Sequence, residues 1–595
     1  MLRLTLAIAL ISTSPGCGAP PSAPEVSKPK LVVMVVFDQM RGDYPERWQS
    51  LFGSEGFNRI RREGITFTDC RYPYGSTTTG PGHASLLSGC GPETHGIINN
   101  EWYDVREAAD VNCAESTRYV RVPPVRKVVA EAPAVKKDPD PKATIAPKSE
   151  EDTPRNRIKG VGAPDRLLAP NLGDVLKDVS GGKARVIGLS FKDRSAVLTP
   201  GRKADSAYWL DSSDGSVVTS SFYRDSLPKW VAEFNERKVP DRWFGKDWTR
   251  LNDKIDYVRH SGPDEVVGEG KGSKQGLVFP HPTDGGLKKP GRNFYDALYN
   301  SAYGNDFLLE FAKTAIVEEK LGQSGHTDLL TVSFSSNDAV GHCWGPDSQE
   351  VLDVTLRSDL VVAELLKFLD DKVGKGQYLL AISADHGICP LPEVSAKKGI
   401  AAERVDLKSI LTAAEEHLDA KFGKLAAPEG KKSPRWIEGG AYPWIWLNQK
   451  QIAERKLDPQ AVADALAAFL AKQPGITRTM TRPQLEGQIE SSDEIGRLMK
   501  VGYFAQRSGD VGVILKEFSL PGSGKITETG STHGSVWDYD RHVPLMIFGA
   551  GVKPGVRTDA VTPMHAAAIL AKGSGVPVPK MAKYVTLPAG IFVGK

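Results

Sequence analysis

Five short apolar runs rich in β-branched residues punctuate the chain. They lie at residues 31–37 (LVVMVVF), 184–189 (ARVIGL), 329–335 (LLTVSFS), 378–383 (YLLAIS) and 543–549 (VPLMIFG). Most are continuously apolar rather than alternating, so they predict strands covered on both faces, the condition of a mainly parallel sheet. Between the runs the spacing of apolar positions becomes helical, most clearly over 351–369. This alternation predicts an α/β fold, a central mainly parallel sheet flanked by helices.

With 595 residues the chain exceeds what a single growing core needs, so inserted segments are expected. Residues 121–160 are rich in Pro, Lys, Glu and Ala and nearly free of aromatics, which predicts a disordered surface insertion. Further insertions are read at about 230–290 and at 396–510. In the latter, Asp458-Pro459 forms a helix start ahead of an apolar face of Val462, Leu466, Phe469 and Leu470. The catalytic core then comprises 31–395 and 511–595, interrupted by the 396–510 subdomain.

The first 19 residues combine one Arg, an apolar stretch from Leu4 to Ile11 and small residues, the order of a secretory signal peptide. Residues 20–30 read as a polar, Pro-rich linker. Export to the periplasm is expected, and Cys17, after Ser14-Pro15-Gly16, leaves a lipid anchor or secretion open. No later run is long and apolar enough for a transmembrane helix. Five cysteines follow Cys17, and export would permit some of them to pair. Lys and Arg total 76 against 73 for Asp and Glu, a net charge of +3 that gives no reason to expect nucleic acid as a partner. A monomer acting on small molecules is expected.

Chemistry enters where the apolar runs end. The first runs into Asp38; the run at 329–335 into Asp338, with His342 four residues on; that at 378–383 into Asp385-His386-Gly387; and His533 sits in a Gly-Ser-Thr-His-Gly loop. Side chains at the carboxyl ends of parallel strands converge on one crevice. Three carboxylates and three imidazoles suit Zn²⁺ and suffice for two ions, although Co²⁺ or Mn²⁺ would also be tolerated. A second constellation, Thr77-Thr78-Thr79-Gly80-Pro81-Gly82-His83, puts Thr79 near a helix N-terminus, where free N–H groups favour an anion; Thr77 and Thr78 compete for the role. Lys192 and Arg194, two apart, would point the same way in extended chain and offer two cations to a phosphoryl group. Asn99 and Asn100 offer amide donors. His83 and His95 are read as orienting loops, and His542 as structural.

Together, Asp38, Thr-Gly-Pro-Gly-His, His95-Gly96-Ile97-Ile98-Asn99-Asn100, Asp338-x-x-x-His342, Asp385-His386-Gly387 and Thr532-His533-Gly534 resemble the type I phosphodiesterase/nucleotide pyrophosphatase branch of the alkaline phosphatase superfamily. Lys192-Asp193-Arg194 and the stretch 302–306 are similar to its phosphate-irrepressible alkaline phosphatases. The resemblance implies an alkaline-phosphatase-like fold and two zinc ions per chain. One would be held by Asp338, His342 and His533, the other by Asp38, Asp385 and His386, with Thr79 able to bind it. It further implies Thr79 as nucleophile, a phosphothreonine intermediate, and Asn100, Lys192 and Arg194 as phosphate-binding groups, with Asn99 the fallback for Asn100. The expected activity is phosphomonoester hydrolysis. A phosphodiesterase or nucleotide pyrophosphatase is the alternative, and an inactive exported binding protein the remote one. A sulfatase is disfavoured, because Thr79-Gly80-Pro81-Gly82-His83 lacks both the Cys or Ser and the Arg of a formylglycine site.

Overall fold

The computed structural model describes residues 28–124, 156–425, 434–522 and 529–593. The stretch read as a signal peptide, Cys17, most of the expected linker and the bulk of the 121–160 tract lie outside the described residues.

All seven residues of strand Leu31–Phe37 are buried, as an uninterrupted apolar run requires. The strand sits inside a ten-stranded sheet whose middle runs in the order Tyr378–Ser383, Leu31–Phe37, Asp328–Phe334, Val186–Ser190 and Ser206–Asp211. These five are mutually parallel. Antiparallel neighbours continue the sheet on both sides, Leu545–Gly549 against Tyr378–Ser383 and Ser216–Ser220 against Ser206–Asp211. Helices cover the sheet, among them Gln349–Leu369, Tyr303–Glu318 and His565–Ser574. Helix Gln349–Leu369 starts where Ser348 Oγ accepts from the Val351 N–H.

Register carries the consequence for function. Phe37 lies opposite Phe334, Val36 opposite Ser383 and Ser333 opposite Ser190, so these strands end within about a residue of one another. Whatever follows each end is delivered to the same edge of the sheet.

Residues of the 396–510 segment form their own four-stranded antiparallel sheet, in the order Ile437–Ala441, Trp444–Leu447, Val511–Leu515 and Ile476–Thr481. Helix Pro459–Leu470 packs on it, started by Asp458, whose side chain accepts from the Gln460 N–H. Val462, Leu466 and Leu470 are buried and Phe469 is half-buried against the His417 ring. The strand Val511–Leu515 belongs to this smaller sheet, so its structural unit extends past residue 510.

Cys70, Cys90, Cys113, Cys343 and Cys389 are all free thiols, so the pairing that export would permit is not made among them. Cys70, Cys113 and Cys389 are packed into three different apolar clusters, which keeps them apart. No helix among the described residues is long and apolar enough to cross a membrane.

Candidate metal and phosphate site

Six predicted side chains meet at the sheet edge in two groups. Asp338, His342 and His533 bring ligand atoms within 4.8 Å of one another, and so do Asp38, Asp385 and His386. Helix Ser336–Trp344 places Asp338 and His342 one turn apart on one face, with His342 Nε2 3.1 Å from Asp338 Oδ1. His533 Nε2 lies 3.7 Å from the same oxygen. In the second group His386 Nε2 lies 3.5 Å from Asp38 Oδ1 and 3.3 Å from Asp385 Oδ2. The groups adjoin, because the His386 and His533 rings stack at 3.5 Å between centroids.

All three imidazoles are oriented alike. Nδ1 of His342, His386 and His533 donates to the carbonyl oxygens of Ser531, Gly387 and Thr77, at 2.7, 2.9 and 2.8 Å. That tautomer leaves each Nε2 lone pair aimed into its group, the arrangement of metal-binding histidines. Asp38 Oδ1 is buried with no hydrogen-bond partner among the described residues, and buried Asp385 Oδ2 has only imidazole nitrogens near it, His83 Nδ1 at 3.1 Å and His386 Nε2 at 3.3 Å. Burial pushes the Asp38 carboxyl well above its ordinary range, with the Asp385 charge adding to it. It also drives His533 well below the usual imidazole range, helped by His386 and His342. Carboxylate crowds carboxylate and imidazole crowds imidazole, a conflict that cations relieve. Divalent metal ions therefore fit both groups.

Lys192 joins them. Its ammonium donates to Asp38 Oδ2 at 2.7 Å and to Asp338 Oδ2 at 2.5 Å. Burial alone would lower its pKa, but the Asp338 and Asp38 charges outweigh it and keep the group protonated. The extended geometry expected for Lys192 and Arg194 is not found. Helix Asp193–Leu198 begins between them, so Lys192 is in extended backbone and Arg194 in the first turn. Lys192 faces both carboxylates, and Arg194 still feels the charge of Asp38. The half-buried Arg194 guanidinium makes no ion pair among the described residues, and its Nε is buried without a partner. A cation so placed calls for an anion.

Thr79 opens helix Thr79–Ser88, and its Oγ1 lies 3.4 Å from His386 Nε2. The neighbouring threonines are otherwise engaged. Thr77 donates to the Ser535 carbonyl at 2.8 Å, and Thr78 donates to Asn99 Oδ1 at 3.1 Å instead of capping its helix. Close approach requires glycine at position 82, where a methyl group would lie 2.6 Å from Asp385 Cβ. Asn100 Oδ1 accepts the Gly80 N–H at 2.7 Å, and its Nδ2 donates to no group among the described residues. Asn99 is committed elsewhere, its Nδ2 donating to the Tyr442 carbonyl at 2.8 Å. Of the two amides, only that of Asn100 is free to meet a ligand.

His83 anchors the threonine loop to a predicted ligand. Its Nδ1 lies 2.9 Å from the Thr79 carbonyl oxygen and 3.1 Å from Asp385 Oδ2, while Nε2 lies 2.8 Å from Ser333 Oγ. His95 bonds Ser85 Oγ and receives the Ile97 N–H, and burial lowers its pKa to about 3. His542 faces the Thr68 carbonyl. Gln39 escaped the sequence reading, and Asn305, inside the stretch 302–306, was given no role there. Asn305 donates to Oδ1 of Asn337, the residue before Asp338, at 2.8 Å. Gln39 donates to Asp338 Oδ1, and its place directly after Asp38 was the one available signal.

Residues 32–535 match the family described as type I phosphodiesterase / nucleotide pyrophosphatase. The alkaline phosphatase PhoV of Synechococcus elongatus is 34% identical over 89% of this chain and 87% of its own length. The alkaline phosphatase PafA of Elizabethkingia meningoseptica is 33% identical over 89% of this chain and 88% of its own. A crystal structure of wild-type PafA superposes with a TM-score of 0.82 at 29% identity, covering 96% of this chain and all of that one. A second PafA structure, with the same TM-score, carries substitutions at a threonine, an asparagine, a lysine and an arginine.

Proposed function

The chain belongs to the type I phosphodiesterase/nucleotide pyrophosphatase family, and from that premise we propose that its two carboxylate–imidazole groups and Thr79 carry out phosphate monoester hydrolysis. It is a hydrolase of the alkaline phosphatase type, like the relatives it matches over nearly its full length. One observation carries the residue-level reading: the Thr79 hydroxyl stands 3.4 Å from His386, at the edge of the two candidate metal-binding groups.

Asp38, Asp385 and His386 would hold one ion and Asp338, His342 and His533 the other; zinc fits the mixed oxygen and imidazole donors. When bound, the ions supply a lowered hydroxyl pKa at the nucleophile and positive charge against the attacking and departing oxygens. Thr79 Oγ, its proton lost to solvent, attacks phosphorus in line as the bond to the leaving group breaks. The departing oxygen takes a proton from water, and a phosphothreonine remains. Water then adds at phosphorus, the Thr79 oxygen–phosphorus bond breaks, and inorganic phosphate leaves. Asn100, Lys192 and Arg194 hold the nonbridging oxygens as charge builds on them. Three carboxylates outnumber these two cations, and two divalent ions reverse the sign, which suits a dianionic monoester better than a monoanionic diester. In the PafA variant the altered threonine and asparagine stand twenty-one positions apart and the lysine and arginine two, the spacings of Thr79 to Asn100 and Lys192 to Arg194. The Leu4–Ile11 apolar stretch supports export.

Thr79→Ala should nearly abolish turnover of a nitrophenyl phosphate monoester while metal content stays at the wild-type level. Acid quench with labelled substrate should leave phosphate on Thr79 of the wild type. A fully active Thr79→Ala enzyme, or one preferring the matching diester, would refute this reading.

A further inference from the structure

Gln39 stands directly after Asp38, at the edge where the two metal-binding groups meet. It is 3% exposed. Its backbone adopts φ +71°, the left-handed region that disfavours any residue with a side chain. Glycine would relieve that cost, so a side chain kept here has something to do.

Both ends of the residue are engaged. The Gln39 backbone N–H donates to Asp385 Oδ1 at 3.1 Å, and Nε2 donates to Asp338 Oδ1 at 2.6 Å. Asp385 belongs to one group and Asp338 to the other. The oxygen that Nε2 reaches is the one facing His342 Nε2 and His533 Nε2, and Lys192 takes the second oxygen of that carboxylate. The facing helix makes room for the amide. A methyl group at Gly341 would overlap the Gln39 amide oxygen and stand 3.1 Å from Cδ.

We propose that Gln39 is a positioning residue that ties the two ion sites together. The inference rests on the two-ion reading above. Its backbone holds Asp385 while its amide fixes the rotation of Asp338, so that one strained residue sets a carboxylate in each site. Removing the amide takes the donor from Asp338 Oδ1, with Lys192 left on Oδ2, and disturbs Asp338 alone, since the backbone donor to Asp385 remains. The loss should fall on the site of Asp338, His342 and His533, with metal affinity there reduced about 10- to 100-fold, the usual effect of losing a partner behind a ligand.

Gln39→Met keeps the length of the side chain and lacks the donor; Gln39→Gly also relieves the backbone. The full chain, loaded with zinc, is titrated with a chelator, and metal per chain is measured by elemental analysis. The wild type should pass from two ions to none at high chelator. Both variants should fall to one ion at about 10- to 100-fold lower chelator, and excess zinc should restore their kcat. Melting of the metal-free proteins controls for folding, with Gln39→Gly at least as stable as wild type. Folded variants that release both ions together at the wild-type chelator concentration overturn the role of Gln39 alone. A wild type holding fewer than two divalent ions overturns the two-ion reading, and the role of Gln39 with it.

Discussion

Adding one methyl group at Gly82 tests whether the closeness of the Thr79 helix to the sheet edge matters. A Cβ there would lie 2.6 Å from Asp385 Cβ and 2.7 Å from its carbonyl carbon, against an ordinary contact of about 3.5–4.0 Å. The obstacle is backbone at the end of a central strand, fixed by the Gln39 N–H on Asp385 Oδ1, so it cannot swing away. Helix Thr79–Ser88 must therefore retreat by about 1 Å, carrying Thr79 from its place 3.4 Å from His386. A misplacement of about 1 Å costs about 100-fold in rate, and overpacking of this kind costs about 1–3 kcal/mol of stability. Gly82→Ala should thus lower kcat on a nitrophenyl phosphate by about 100-fold and lower the melting temperature, with metal content unchanged. Gly555→Ala, where a Cβ would meet nothing within 4 Å, is the matched control and should behave as wild type. A Gly82→Ala enzyme with wild-type kcat and Tm would show that the close packing is incidental.

Asn100→Ala should reduce kcat/KM by about 100-fold through the lost donor, whereas Asn99→Asp should chiefly lower Tm, because it turns the Tyr442 contact repulsive; equal kinetic losses would undo the distinction. Glu269, 4% exposed, has its carboxyl pushed up to about 9 by burial, against the Val266 N–H and with the Glu350 charge adding. The folded chain therefore keeps a proton that the unfolded chain releases above about pH 4.5, so this group's contribution falls as pH rises from there to about 9. Glu269→Gln should gain Tm over wild type progressively between about pH 5 and about pH 9, and a constant difference across that range would refute the sign.

Strands and ligands were legible together because both lie in the same short words of sequence. An apolar run declares a buried strand, and the first Asp or His after it declares what the strand delivers to the candidate groups; Asp38, Asp338 and Asp385 obey this rule, and His386 follows Asp385 directly. His533 sits in a Gly-Ser-Thr-His-Gly loop rather than at the end of an apolar run, and the resemblance to a family motif assigned it to its group. Backbone conformation was not legible. Nothing in the letters marks Gln39 as left-handed, and the side-chain direction of Lys192 could not be read without knowing that a helix starts at Asp193. Burial of Lys192 between two carboxylates was equally hidden, since a basic triplet in a loop ordinarily meets solvent. The free cysteines show the opposite limit: permission to form disulfides is a property of the compartment, whereas pairing needs proximity that these five lack.

The span of the ligands along the polypeptide has a consequence for biogenesis. One group draws on positions 38, 385 and 386, the other on 338, 342 and 533. No nascent fragment ending before His533 can assemble the second, and neither exists until distant strands have found their register. If the groups hold ions as proposed, filling the second would be a late event, deferred until synthesis is nearly complete and coupled to closure of the sheet. A growing chain presents only scattered carboxylates and imidazoles, too weak to trap an ion out of turn.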